Sequence, residues 1–458
     1  MTYRFTSLAP TSRPFALAGR LLHSEFRTAS RRSTRCGGSS VCANPSDETS
    51  PMKIAVPRET ADGETRVALT PQIAGQLVAD GVEVLVQAGA GEASSNTDEA
   101  YREAGATIVP DAPALYGQAN VVLRVGRPSE EEVEMLREGT VLIGTLGTLS
   151  KPELAQKLAE HGVTAISMDA IPRITRAQSM DTLSSQATVG GYKAVLIAAE
   201  RLPKFMPLLT TAAGTVRPAR GIVMGAGVAG LMAIGTARRL GAVVEATDVR
   251  PVVKEQVQSL GGTFIEVEMT EEEKAKAETA GGYATEMSDD YKRRQAELIA
   301  ERVKEADFVI TTALILGRPA PRLVTDEMVK SMKPGSVIVD MAAEMGGNVE
   351  GTEPGKEIVR HGVKIIGLTN LPATMPGSAT QMYAKNIQTL VKHLLADGEL
   401  KIDFDDEITR GATITHGGKV VHEATAKALG IEVAPPRPNA PADPPADAPA
   451  SPTTDKDS

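Results

Sequence analysis

Six residues near the middle of the chain, Gly225-Ala226-Gly227-Val228-Ala229-Gly230, constrain its fold more than any other stretch. They stand between a short apolar run, Gly221 to Met224, and an apolar helical stretch from Gly230 to Leu240. Asp248 closes the next apolar run, Val243 to Thr247, 18 residues after Gly230. A glycine triplet alone says little, but one that ends a strand and opens a helix specifies a geometry. Gly225 permits the tight turn, Gly227 lets backbone N–H groups approach a bound group, and Gly230 lets helix pack on strand. Strand, turn and helix in this order begin a βαβ unit, and such units build a parallel sheet wrapped on both faces.

The same rhythm runs through most of the sequence. Before the turn it reads Lys53 to Val56, Pro71 to Asp80, Val82 to Gln87, Asn120 to Val125, Ser129 to Glu138, Thr140 to Leu146, Lys151 to Glu160 and Val163 to Met168. After it come a helix from Pro251 to Leu260 and strands Thr263 to Val267, Phe308 to Thr312, Ser336 to Asp340 and Val363 to Gly367. The expected fold is α/β: two tandem doubly wound, Rossmann-like parallel-sheet domains. Gly190 to Arg201 and Ala379 to Ala396 read as long helices, the second returning across the junction; Glu407 to His422, with its Gly417-Gly418 turn, reads as a β-hairpin. The expected boundaries are 52–172 with 375–430 for the first domain and 185–370 for the second. The first lacks a phosphate-binding turn.

The ends stand apart. Residues 1–51 carry Arg4, Arg13, Arg20, Arg27, Arg31, Arg32 and Arg35 among many Ser and Thr, with Glu25 the sole acid before Asp47. This is the composition of an organelle transit peptide. Met52 opens a well-formed strand, however, and the reading preferred here is a disordered leader or a translation start placed too early. Residues 434–458, rich in Pro, Ala and Asp, read as an extended disordered tail.

Composition excludes several classes. Both cysteines, Cys36 and Cys42, precede Met52, so the folded body has neither disulfides nor thiolate metal sites. A net charge of -9 with 3% aromatic residues and no Trp argues against nucleic acid as a partner. No apolar run approaches the about 18 residues that a membrane helix needs.

A pyrophosphate on a helix N-terminus and an acid on the adenosine ribose are what such a turn and Asp248 provide, and together they point to a dinucleotide. The Asp248 carboxylate would repel a 2′-phosphate, so NAD(H) is expected rather than NADP(H). Arg250, two residues on, could neutralise that phosphate; a solvated residue at the start of the next helix is the reading favoured for it. Val249, Arg250 and, after the strand Phe308 to Thr312, Ala313 and Leu314 complete the expected cofactor contacts.

None of the six histidines, His23, His161, His361, His393, His416 and His422, lies in the turn or in the junction segment Arg173 to Ser184. Reduction of a carbonyl needs a general acid. Hydride passing directly between two nicotinamides needs only orientation and exclusion of water. The junction segment is unusually polar, and a solvated interdomain loop accounts for it as well as a site does. Glu278 to Ser288, with Gly281-Gly282-Tyr283 and Met287, is either a lid over a bound cofactor or a surface insertion.

Val56-Pro57-Arg58-Glu59 with Arg66-Val67-Ala68-Leu69-Thr70-Pro71 resembles the shared start of alanine dehydrogenases and of the alpha subunit of proton-translocating NAD(P) transhydrogenase. Three further segments resemble the transhydrogenase branch: Pro172 to Gln186, Gly281 to Met287, and Val339 to Glu344 followed by Gly346-Gly347-Asn348. The resemblance spans Met52 to about His422. It implies an NAD(H)-binding peripheral domain of a membrane enzyme that couples hydride transfer from NADH to NADP⁺ with proton translocation. By the same resemblance Arg173, Gln178 and Asp181, with Ser184 alongside, hold the nicotinamide end, and Gln178 lies nearest the partner that carries NADP(H). A mobile loop closes through Gly282, Tyr283 and Met287; Thr285 stands where the family has a basic residue. The implied partners are a membrane-spanning alpha-2 type subunit and an NADP(H)-binding beta subunit, with a cytoplasmic location on the inner face of the plasma membrane through them. A homodimer is also implied, the Glu407 to His422 hairpin being either a swapped arm or packed on its own subunit.

Alanine dehydrogenase is the rival reading. Its substrate pocket uses an Arg, a Lys and a His. Arg66 matches the first, but Gly126, within Leu123 to Pro128, and Gly147, within Leu142 to Gly147, stand where the other two belong. Saccharopine-type dehydrogenases meet the same objection. A non-catalytic NAD(H)-sensing module is a third reading, disfavoured by the presence of Arg173, Gln178 and Asp181.

Overall fold

The structure, a computed structural model, describes residues 51–267, 289–314, 319–396 and 399–432. Residues 1–50, the segment carrying Gly282, Tyr283 and Met287, and the Pro-rich residues from 433 onward lie outside the described residues.

Six parallel strands open the chain: β1 (Lys53–Val56), β2 (Glu83–Gln87), β3 (Thr107–Val109), β4 (Val121–Leu123), β5 (Val141–Gly144) and β6 (Thr164–Ser167). A short hairpin, β7 (Leu209–Thr211) and β8 (Gly214–Val216), precedes a second set. That set is β9 (Arg220–Met224), β10 (Val243–Thr247), β11 (Thr263–Phe264), β12 (Phe308–Thr311), β13 (Val337–Asp340), β14 (Glu357–Arg360) and β15 (Val363–Ile366). The chain ends through β16 (Leu395–Ala396), β17 (Glu399–Leu400), β18 (Thr413–His416) and β19 (Lys419–Val420).

The spatial orders are β19-β18-β6-β5-β4-β1-β2-β3 and β11-β10-β9-β12-β13-β15-β14. Without its antiparallel edge, each sheet has the same doubly wound order, with a crevice where the order reverses, between β1 and β4 and between β9 and β12. Strands covered on both faces read as unbroken apolar runs, and Val121–Leu123, Phe308–Thr311 and Val337–Asp340 are buried throughout. Alternate residues feed opposite layers of core: Ile54 and Val56 face one layer under the first sheet and Ala55 the other, as Val223 and Ile222 do in the second.

The two crevices are used differently. Beyond β1 the Glu59 carboxylate reaches across to the end of β4, accepting from the Val125 N–H at 2.7 Å and from the Arg124 guanidinium at 3.2 Å. Arg124 is fully buried and also pairs with Glu132 at 2.6 Å. The first crevice is thus plugged by charge of the chain's own. The second begins with the glycine turn and stays open.

Two long helices, Thr182–Arg201 and Pro376–Leu394, join the halves and pack against each other. The first also crosses the helix Val228–Arg239 so closely that a methyl group at Gly191 would lie 2.1 Å from the Ala229 carbonyl oxygen. The helix expected from Gly190 begins eight residues earlier, because Asp181 caps it at its N-terminus. The C-terminal expectation also needs correction: Glu407–Ala412 is a helix, and only Thr413 onward forms the hairpin. That hairpin extends the first sheet by pairing antiparallel with β6. Among the described residues no helix is long and apolar enough to cross a membrane.

Candidate functional site

A cavity of about 1150 Å³ lies between the glycine turn and the junction segment. Of the expected residues, Arg173, Gln178, Asp181 and Ser184 line one side, and Gly225, Gly227, Val228, Ala229, Asp248, Val249, Arg250, Ala313 and Leu314 line the other. Ala226 and Gly230 are buried beneath the turn and do not line it.

The turn owes its form to two contacts. Gly225 has φ +98°, and its carbonyl oxygen accepts from Thr312 Oγ1 at 3.0 Å. A Cβ at Gly230 would fall 1.8 Å from that same oxygen. Gly227 differs, since a Cβ there would meet only the Arg250 guanidinium, at 3.9 Å, in otherwise open space. Gly227 is the N-cap residue of the helix Val228–Arg239 and has no side chain to accept the first-turn N–H groups. An approachable backbone, open space and the positive end of a helix dipole suit a pyrophosphate.

Asp248 stands at the end of β10, its side chain 6% exposed. It accepts from the Ala226 N–H at 2.7 Å, the Arg250 N–H at 2.8 Å and the Arg250 guanidinium at 2.9 Å through both Nε and Nη2. Burial pushes the carboxyl up, but the guanidinium and the two backbone donors outweigh it and hold the group below its ordinary value. Arg250 is therefore not a free solvated residue, as the sequence led us to expect. It is locked on Asp248 in a bidentate pair.

The junction segment is braced rather than loose. Thr175–Met180 forms a 3₁₀ helix; on its outer side Arg176 pairs with Asp406 at 3.1 Å, and the Ser179 carbonyl accepts from Asn386 at 2.8 Å. Asp181 accepts from the Ser184 N–H at 2.9 Å and from its hydroxyl at 2.6 Å. Both residues thus begin the long helix while lining the cavity. Arg173 and Gln178 are exposed, and their side chains make no hydrogen bond or ion pair with another described residue. They are free to meet something else.

Sequence reasoning missed Thr312 under the turn, Pro321 and Leu323 in the wall, and Gln295 and Ile299 on the helix Asp289–Glu305. The hydroxyl of Thr312, directly after an apolar strand, was the only available signal. Among the described residues no histidine lines the cavity, and no group of His, Cys, Asp or Glu is placed to hold a metal ion.

The place where an amino-acid pocket would sit is differently furnished. The Arg66 guanidinium is taken up by Glu64 at 2.6 and 2.8 Å, Gln186 at 2.8 Å and Asn370 at 3.1 Å. Gly126 lies against Glu59, and Gly147, at φ +60°, lies against the Arg127 guanidinium. Tyr383, fully buried, donates its hydroxyl to the Arg124 carbonyl at 2.7 Å.

Two family descriptions match the chain: "Alanine dehydrogenase/PNT, N-terminal domain" over residues 55–190 and "Alanine dehydrogenase/PNT, C-terminal domain" over residues 194–423. The NAD(P) transhydrogenase subunit alpha of Haemophilus influenzae is 46% identical over 376 residues, covering 81% of this chain and 72% of that protein. The alanine dehydrogenase of Bacillus subtilis is 34% identical over 392 residues, covering 84% of this chain and 96% of its own length. The crystal structure of transhydrogenase from Sinorhizobium meliloti superposes with a TM-score of 0.74 at 46% identity, covering 81% of this chain and 100% of that one. With its doubly wound nucleotide-binding fold, the chain belongs to the alanine dehydrogenase/PNT family, in the branch of NAD(P) transhydrogenase alpha subunits, with alanine dehydrogenase more distant.

Proposed function

We propose that the chain binds NAD(H) in the cleft cavity and takes part in transhydrogenation, hydride passing directly between that nucleotide and NADP(H) on a partner subunit. One observation carries the reading: a single cavity joins an open glycine turn to a braced segment bearing Arg173 and Gln178, with no histidine among the described residues of its wall. When bound, the nicotinamide supplies or accepts the hydride. The N–H groups at Gly227 and the first helical turn hold the pyrophosphate, and Asp248, its acceptor positions taken by Ala226 and Arg250, places negative charge beside the adenosine ribose. Arg250, engaged by Asp248, offers no free cation to a 2′-phosphate, which favours NAD(H). Arg173, Gln178 and Asp181 orient the nicotinamide end, with Ser184 fixing Asp181. No residue needs to deliver a proton when one nicotinamide reduces another. Water is excluded only once the partner covers the exposed side.

The wider assembly belongs to the same proposal: an NADP(H)-binding beta subunit, a membrane-spanning alpha-2 type subunit holding the proton pathway, and a homodimer of this chain. The chain would then be cytoplasmic and peripheral at the inner face of the plasma membrane through those partners. Residues 52–172 with 375–430, and 185–370, are proposed as its two domains. The chain alone, given NADH, should bind it without oxidising it when pyruvate and ammonium are added. Oxidation dependent on both would replace this reading with an amino-acid dehydrogenase.

A further inference from the structure

Asn348 does not line the cavity, yet it holds two parts of the cavity wall together. It is fully buried, and its side-chain amide bonds only to backbone. Oδ1 accepts from the Ala313 N–H at 3.1 Å, while Nδ2 donates to the carbonyls of Ala313 at 2.9 Å and Pro321 at 2.7 Å. Its own carbonyl accepts from the N–H groups of Leu323 at 2.7 Å and Val324 at 3.1 Å. Ala313, Leu314, Pro321 and Leu323 all face the cavity.

The bracket has a rigid base. Asp340, fully buried at the end of β13, accepts from the Thr311 hydroxyl, the Ala342 and Val349 N–H groups and the Thr352 hydroxyl, at 2.8 to 3.1 Å. Gly346 and Gly347, at φ +92° and +76°, turn the chain between Asp340 and Asn348, whose side chain bonds to Ala313 and Pro321 while the next N–H, of Val349, bonds to Asp340. The sheet thus sets Asp340, Asp340 sets the turn, and the turn sets Asn348. From this we infer that Asn348 is a positioning residue for nucleotide binding: it fixes Ala313–Leu314 relative to Pro321–Leu323 and so sets the shape of the cavity wall opposite the junction segment. The inference rests on the NAD(H) reading of that cavity.

Only a primary amide one carbon from the backbone serves one N–H and two carbonyls here. Aspartate has the same shape but sets a carboxylate against two carbonyl oxygens, and only its protonated form regains a donor. A displaced wall lowers affinity without any lost contact to the ligand, and misplacement by about 1 Å can cost about 100-fold in activity.

The test is NADH titration of the full-length chain carrying Asn348→Ala, Asn348→Asp or Asn348→Ser, following NADH fluorescence, with Kd and stoichiometry fitted separately. A purely structural residue changes the folded fraction, hence the stoichiometry, and leaves the Kd of folded molecules alone. The expected results are a Kd raised about tenfold in Asn348→Ala at one NADH per folded chain, and in Asn348→Asp a Kd that recovers as pH falls, unlike the parent. A Kd within twofold of the parent in the folded Ala or Ser variant overturns the inference. Failure of all three to fold assigns Asn348 to folding and overturns it as well. If the parent itself binds no NADH, the cavity reading fails first.

Discussion

Gly227→Ala should separate binding from folding. Gly227 has φ −74° and ψ −167°, a conformation open to any residue, and an added Cβ meets nothing nearer than Arg250 Nη2 at 3.9 Å. Alanine is a poorer N-cap than glycine, costing a few tenths to about 1 kcal/mol. Reduced freedom of the unfolded chain offsets this by roughly 0.4–1 kcal/mol. Stability should therefore stay within about 1 kcal/mol of the parent. The methyl group, however, occupies the open space through which a pyrophosphate must approach the helix N-terminus. Losing two charge-assisted hydrogen bonds, at about 1.5–3 kcal/mol each, weakens NADH by more than 100-fold. Thermal unfolding with and without NADH, alongside calorimetric titration, measures both quantities. An unchanged midpoint with the ligand-induced shift abolished is expected. A variant that binds NADH as tightly as the parent refutes the placement of the pyrophosphate.

Gly230→Ala should behave oppositely, losing stability together with binding, because its Cβ would lie 1.8 Å from a backbone oxygen; chemical denaturation reads the loss. Asp248→Asn should weaken NADH while narrowing its advantage over NADPH, since Arg250 is released; competitive titration with both nucleotides checks the ratio. Glu64→Gln, which breaks the largely buried pair with Arg66, should cost about 3 kcal/mol at neutral pH by urea unfolding. Burial raises the Glu64 carboxyl, but Arg66 outweighs it and the net value is lowered. Its contribution is therefore present above the ordinary value of 4.5 and lost as pH falls through the lowered one, so parent and variant stabilities should converge on acidification. Divergence would contradict the assignment.

What the sequence made legible was local. The strand before Gly225, the helix after Gly230 and Asp248 closing β10 lie within thirty residues, and their spacing states the geometry. The alternation of strands and helices likewise conveyed two doubly wound sheets. What stayed hidden depends on residues far apart in sequence. Asn348 acts on Ala313 from 35 positions away, and Glu59 closes the first crevice on Val125 from 66 positions away. Nothing in the residues near Arg250 announces that its guanidinium folds back on Asp248. One miss was local: Asp181, followed three positions later by Ser184, is an N-cap signal that the polarity of the junction concealed.

In the proposed function the nicotinamide end of the cavity faces another protein. The direct measurement is rapid mixing of the chain, loaded with NADH, with an NADP⁺ analogue bound to a complementary NADP(H)-binding subunit, following reduction of the analogue by absorbance. Reduction should appear only when both proteins are present and should fall in Arg173→Ala and Gln178→Ala, while the Kd for NADH changes little. Reduction of the analogue at the same rate by this chain alone would contradict the account.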